Sequence, residues 1–123
     1  MIGLGIDLCQ ISRMAAILEK QPAFLKRYFS EAEIAYIHRQ EACAAQSAAA
    51  MLAAKEAFAK AVGTGFAQGV SARDIHVLHR ENGCPYYEIV GESLEKMRMM
   101  GARRCHLSLT HEGDMAAAVC ILD

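Results

Sequence analysis

Between Ala42 and Gly65 the chain is dominated by alanine and ends in a glycine-threonine-glycine stop, a run that admits little other than a long helix. Alanine loses no side-chain entropy on becoming helical, so the spacing predicts a helix to Val62, and Gly63 supplies the residue that can turn left-handed just past its end. On a 3.6-residue wheel Met51, Lys55, Phe58 and Val62 share one face, while Glu56 and Lys60 lie one turn apart on roughly the opposite one. Ala49 and Ala53 flank that carboxylate and ammonium without bulk, which is expected to leave room for something to approach. Taken alone, an i,i+4 Glu-Lys pair is an ordinary solvated pair that stabilises a helix by about 0.2–0.5 kcal/mol. A functional meaning depends on what the two ends of the chain bring to it.

At the first end, Ile2 to Ile6 reads as a short buried strand in which Gly3 and Gly5 allow close backbone approach, with Asp7 at its end. Ile11, Met14, Ala15 and Leu18 recur at helical spacing, so Arg13 points away from the apolar stripe and is exposed. Pro22 restarts the chain into a short segment ending near Tyr28. Ser30-Glu31-Ala32-Glu33 is a capping box with Phe29 and Ile34 as its hydrophobic staple, which assigns Glu33 a structural role before a catalytic one. After the long helix, Asp74 to His79 and Tyr86 to Val90 flank Asn82-Gly83, a two-residue hairpin signal, with Pro85 at an edge or at a first strand position. Leu94, Met97 and Met100 mark a further helix ended by Gly101. Cys105 to Thr110 and Met115 to Leu122 read as strands around a polar turn, His111 to Asp114. The class is α+β: a small, mainly antiparallel sheet packed against a long helix and shorter helices.

The 123 residues make one domain, 1–123, long enough for a single core and short for a deep cleft of its own. A net charge of -1 argues against a general nucleic-acid binder, which needs a basic field. Locally, Arg13, Lys20, Lys26 and Arg27 outweigh Asp7 and Glu19; this is either a solvated face or a surface for an acidic partner. The five scattered cysteines have neither Cys-x-x-Cys nor zinc spacing and read as reduced thiols. Asp7 interrupts the short apolar start, no apolar run approaches a membrane span, and a cytoplasmic protein is expected.

Asp7, Glu56 with Lys60, and His111 stand out as polar features. Two carboxylates converging from distant positions repel unless a cation or a proton lies between them, and with oxygen ligands only, magnesium is the natural cation. Gly3-Leu4-Gly5-Ile6-Asp7 with Arg13, Phe29-Ser30-x-x-Glu33, Ala53 through Gly65, Asn82-Gly83-x-Pro85, and Leu107-Ser108-Leu109-Thr110-His111 with Ala116-Ala117-Ala118 occur in order from end to end. In these the chain resembles the holo-acyl-carrier-protein synthase family, the small phosphopantetheinyl transferases.

The resemblance implies transfer of phosphopantetheine from coenzyme A to a serine hydroxyl of an apo-acyl-carrier protein, with release of adenosine 3',5'-bisphosphate, magnesium as cofactor, and a homotrimer with active sites between subunits. It implies Asp7 and Glu56 as metal ligands, Lys60 and Gly63-Thr64-Gly65 along coenzyme A, Thr110 and His111 near its phosphates, and Arg13 toward the acidic carrier protein. The serine proton would pass to Glu56 directly or to a magnesium-bound water oriented by Asp7 or Glu56. Two positions depart from the family pattern: Met51 stands where arginine is common, and Cys84 where a basic residue is common between Asn-Gly and Pro. An apolar thioether cannot replace a phosphate-binding guanidinium. The alternatives are an oligomer of the same fold that binds coenzyme A or the carrier without transfer, and a plain oligomerisation domain in which Glu56 and Lys60 form a surface pair.

Overall fold

A computed structural model describes all 123 residues. The order is β1 (Gly3–Gln10), α1 (Ile11–Lys20), α2 (Pro22–Tyr28), α3 (Glu31–Arg39), a 3₁₀ turn at Glu41–Cys43, α4 (Ala44–Val62), a 3₁₀ turn at Ala72–Asp74, β2 (Ile75–His79), β3 (Pro85–Ile89), α5 (Gly91–Met99), β4 (Cys105–Glu112) and β5 (Met115–Leu122). The fold is α+β as expected, with every strand pairing antiparallel, but the strands form two sheets: one in the order β1-β5-β4, and the separate hairpin β2-β3.

The alanine run becomes the spine of the molecule. Most of α4 is buried, and its small side chains let the backbone of β1 lie directly on it. A Cβ at Gly5 would collide with the Ala57 carbonyl and stand 2.8 Å from the Ala61 nitrogen; at Gly3 it would stand 2.5 Å from the Ala61 carbonyl oxygen. The helix ends as its composition predicts, with Gly63 left-handed at φ 94° and its N–H donating to the Ala59 carbonyl. Phe29, Ile37, Ile75, Met14 and Leu122 pack around this spine.

Three expectations change. The first strand does not stop at Ile6: pairing with β5 continues through Asp7↔Ala118 to Gln10↔Met115, so Asp7 lies within the strand. Nor is that strand buried on both sides, because Leu4, Ile6 and Leu8 alternate with the helix-facing residues and are 56%, 64% and 60% exposed. Ala49 and Ala53 open no approach to the Glu56 face, since both are fully enclosed in the core.

The capping box forms as read: Ser30 Oγ accepts from the Glu33 N–H and Glu33 Oε1 accepts from the Ser30 N–H. Glu33 does more than cap. Its other oxygen accepts from the Val77 N–H at 2.9 Å, and Oε1 meets Lys55 Nζ at 2.9 Å with both side chains fully buried. Lys55 also donates to the carbonyls of Ala72 at 2.8 Å and Ile75 at 2.6 Å, so this pair ties α3, α4 and the start of β2 together. Asn82-Gly83 sits inside a five-residue connection, 80–84, instead of a two-residue turn. Asn82 Oδ1 accepts from the Cys84 N–H at 2.9 Å, and Pro85 opens β3.

Candidate active site

The pleat of β1 and the turns of α4 bring Asp7, Glu56 and Lys60 together. Asp7 points from the middle of β1 toward α4, where Lys60 Nζ donates to its Oδ1 at 2.9 Å and to the Ile6 carbonyl at 3.1 Å. Lys60 therefore pairs with Asp7 across the strand-helix junction, and not with Glu56 along its own helix as the i,i+4 spacing suggests. That bond to Asp7 raises the proton affinity of Lys60. Glu56, one turn earlier, is half-buried; burial first and the Asp7 charge second push its carboxyl above the ordinary range, against the pull of Lys60. Two carboxylates thus share one electrostatic neighbourhood with a single ammonium.

The site opens on one side into a cavity of ≈ 340 Å³ between β1, α1, α2 and α4, lined by Cys9, Met14, Phe24, Tyr28, Leu52 and, as its charged rim, Arg13 and Glu56. Burial pushes the Cys9 thiol up, so it stays protonated beside the carboxylates. Arg13 is exposed on α1, as its phase on that helix predicts. The N-terminus of α1 is fixed by a residue that sequence reasoning passed over as part of a polar turn. Asp114, between β4 and β5, accepts from the Ser12 N–H at 2.9 Å and from its hydroxyl at 2.6 Å, and the hydroxyl bond lowers its pKa. A contact spanning 102 positions leaves no local signal.

The other expected site residues lie elsewhere on the chain. Gly63-Thr64-Gly65 begins three residues after Lys60, with its three N–H groups converging on the Ala59 carbonyl and the Thr64 hydroxyl donating to the Gly65 carbonyl at 2.7 Å. Thr110 belongs to β4 as expected; His111 is not in the turn but continues β4, where it pairs with Ala116. They line a second cavity with Gln46 and Met51, on a different side of α4 from Leu52 and Glu56. Within one chain, then, Thr110 and His111 do not meet Asp7 and Glu56.

Asp7 and Glu56 could hold a cation; no third His, Cys, Asp or Glu joins them in a cluster. Two oxygen-donor groups fit a hard ion that keeps water and substrate oxygens in its other positions, and do not fit a closed structural metal site.

A compact α+β unit with paired acids and a lysine at the edge of a shallow cavity has the parts of a phosphate-handling transferase. The chain belongs to the 4'-phosphopantetheinyl transferase superfamily, whose family model matches residues 3–120. Among its relatives, the holo-[acyl-carrier-protein] synthase of Treponema denticola is 42% identical over 122 residues, covering 99% of this chain and 98% of the relative. The solved holo-[acyl-carrier-protein] synthase of Neisseria meningitidis superposes with a TM-score of 0.86 at 32% identity, covering 100% of this chain and 98% of that one. The Bacillus anthracis enzyme, solved in complex with CoA (3',5'-ADP), gives 0.81 at 31% identity, covering 98% and 95%.

Proposed function

We propose that this chain transfers 4'-phosphopantetheine from coenzyme A to a serine hydroxyl of an apo-acyl-carrier protein, releasing adenosine 3',5'-bisphosphate, with Asp7, Glu56 and Lys60 as its reaction centre. The observation that carries the reading is the meeting of Asp7 and Glu56, 49 positions apart, beside Lys60 and an apolar cavity. Asp7 and Glu56 hold magnesium, in keeping with that ion's habit of taking one or two carboxylates and leaving its other positions to water and phosphate. When bound, the ion neutralises the pyrophosphate and stabilises the leaving phosphate. Lys60, more than half exposed and already aimed at Asp7, places a positive charge where negative charge gathers as the phosphorus–oxygen bond breaks. The serine proton leaves through Glu56, directly or by way of a water hydrogen-bonded to it.

Arg13, at the cavity rim on a stretch of chain that also carries Lys20, Lys26 and Arg27, receives the acidic carrier. The exposed stripe of Leu4, Ile6 and Leu8 lies on the sheet face away from α4, and three such faces close a homotrimer. That assembly supplies Thr110 and His111 to the coenzyme from a neighbouring subunit, which accounts for their distance from Asp7 within one chain. All 123 residues serve one transferase domain. No helix is long and apolar enough to cross a membrane, and we place the reaction in the cytoplasm, on carriers such as those of fatty acid biosynthesis.

The deciding experiment is incubation with coenzyme A, magnesium and apo-carrier, followed by the intact mass of the carrier. The expected outcome is a phosphopantetheine mass gain that Asp7→Asn and Glu56→Gln each remove. Coenzyme A binding without mass gain on any of several carriers would identify a non-catalytic binding module instead. Gel filtration with light scattering reads the trimer; a fully active monomer would refute it.

A further inference from the structure

Helix α1 has no N-cap of its own. Gln10, the residue before it, makes no side-chain cap bond, and the first turn contains no acid. The open amides are taken instead by the turn between β4 and β5. Gln10↔Met115 is the last pair of the β1–β5 ladder, so β1 hands over to α1 beside the point where β5 begins. Asp114, the residue just before β5, reaches across that junction with both its backbone and its side chain. Its carbonyl accepts from the Ile11 N–H at 2.8 Å, Oδ1 accepts from the Ser12 N–H at 2.9 Å, and Oδ2 accepts from the Ser12 hydroxyl at 2.6 Å. A side-chain oxygen bonded to the second amide of a helix fills the place of an N-cap, here from 102 positions away. The hydroxyl bond keeps the Asp114 carboxyl below its ordinary range, so it remains an acceptor at neutral pH.

The rest of α1 is held to the core by Met14, which is buried, with Ile17 and Leu18 packed beside it. Apolar contact is non-directional and leaves a short helix free to roll and slide on its neighbour. The bonds to Asp114 remove that freedom at the first turn. The very next residue is Arg13, which shares the cavity rim with Glu56. We infer that Asp114 is a positioning residue for carrier capture: by capping α1 from the β4–β5 turn it fixes the phase in which Arg13 is presented over the cavity. The inference rests on the transferase reading and on Arg13 as the contact for an acidic carrier. Asp114 acts on such a partner in two opposed ways, since its charge repels an acidic surface while its bonds hold the cation that attracts one. The opposition gives the test a sign. Asparagine separates the two effects, because its oxygen still accepts from the Ser12 N–H and its amide nitrogen donates to the Ser12 oxygen, without the charge.

Initial rates of carrier mass gain with magnesium give KM for the apo-carrier and for coenzyme A separately in each variant. Asp114→Ala loses charge and cap together, and is expected to raise KM for the carrier about three- to tenfold, the upper bound being the worth of one charge-assisted contact from Arg13. Its kcat and its KM for coenzyme A are expected to stay within about twofold of wild type. Asp114→Asn is expected to keep the carrier KM at or below the wild-type value. Ser12→Ala, which removes the hydroxyl bond alone and leaves the turn intact, is expected to move the carrier KM in the same direction as Asp114→Ala, by less. In an Arg13→Gln chain, adding Asp114→Ala is expected to change nothing further, because the group it positions is gone. A carrier KM that falls or stays constant in Asp114→Ala would leave only the charge acting. Additive effects of Arg13→Gln and Asp114→Ala would place the action of Asp114 elsewhere, and an equal rise in both KM values would mark a general loosening. Each of these overturns the inference and leaves the transferase reading intact, whereas no transfer by the wild-type chain overturns both.

Discussion

Gly5→Ala tests the link between the packing of the spine and the chemistry at its edge. Gly5 is two residues before Asp7 on the same side of β1, and its backbone lies against the turn of α4 that joins Glu56 to Lys60. A methyl there would overlap the Ala57 carbonyl and stand 2.8 Å from the Ala61 nitrogen, both helix backbone atoms with no side-chain freedom to move aside. The strand and helix must separate by on the order of 1 Å. Overpacking of this kind costs about 3 kcal/mol, which for a chain of this length lowers Tm by about 12 °C. The same displacement stretches the 2.9 Å bond between Lys60 and Asp7 and pulls the two carboxylates out of register. A misplacement of about 1 Å costs roughly 100-fold in rate. Differential scanning calorimetry and carrier-mass kinetics read the two effects. Gly3→Ala is the graded control: its methyl would meet the Ala61 carbonyl oxygen at 2.5 Å, a milder clash one step farther from the site, and both losses should be smaller. A Gly5→Ala protein with a wild-type melting temperature and wild-type turnover would refute the close-packing argument, as would a Gly3→Ala protein more damaged than Gly5→Ala.

Lys55→Met strands the buried Glu33 carboxylate and should cost about 3–5 kcal/mol in urea melts, with Glu33→Gln added in the same chain recovering part of it; a loss under about 1 kcal/mol would contradict the role of this pair. Glu56 has a folded pKa above its unfolded value, so it favours the fold below the unfolded value and loses that contribution as pH rises through the folded one. Without metal, Glu56→Gln should therefore melt higher than wild type at pH 7, with the gap closing toward pH 4; a variant melting lower at pH 7 would mean that the charge is stabilising. Arg13→Glu should raise KM for the carrier far more than for coenzyme A, and added salt should reproduce part of the effect by screening; equal losses for both substrates would point away from carrier docking.

Signals carried within a few residues were legible. The Ser30–Glu33 box, the Gly63 stop and the outward phase of Arg13 depend on spacings of three to seven residues, and each forms as read. What sequence left out was settled by partners far along the chain. Lys55 shares a helix face with Met51 and Phe58 and is buried with them, but nothing local says that the acid waiting there is Glu33. Lys60 has Glu56 at the right spacing and still bonds to Asp7, because the close approach of β1 brings a second acid within reach. The polarity of Asp7 reads as a strand end, yet β5 supplies hydrogen bonds past it to Gln10. The paired acids were thus legible as candidates, while the division of the site into two cavities on different sides of α4 was not, since it depends on how the helix crosses the sheet.

One strand, β1, carries two messages interleaved letter by letter. Gly3, Gly5, Asp7 and Cys9 address the helix, and Leu4, Ile6 and Leu8 address the outside. The alternation of side chains ties the two lists into a single reading frame. Deleting one residue near the start of the strand exchanges them wholesale, driving leucines into the helix backbone and setting the carboxylate on the outer surface. Point changes remain free to edit one list without the other. In the history of such a chain, then, substitutions can drift the outer surface and the inner one independently, but an insertion or deletion in these eight positions removes both at once.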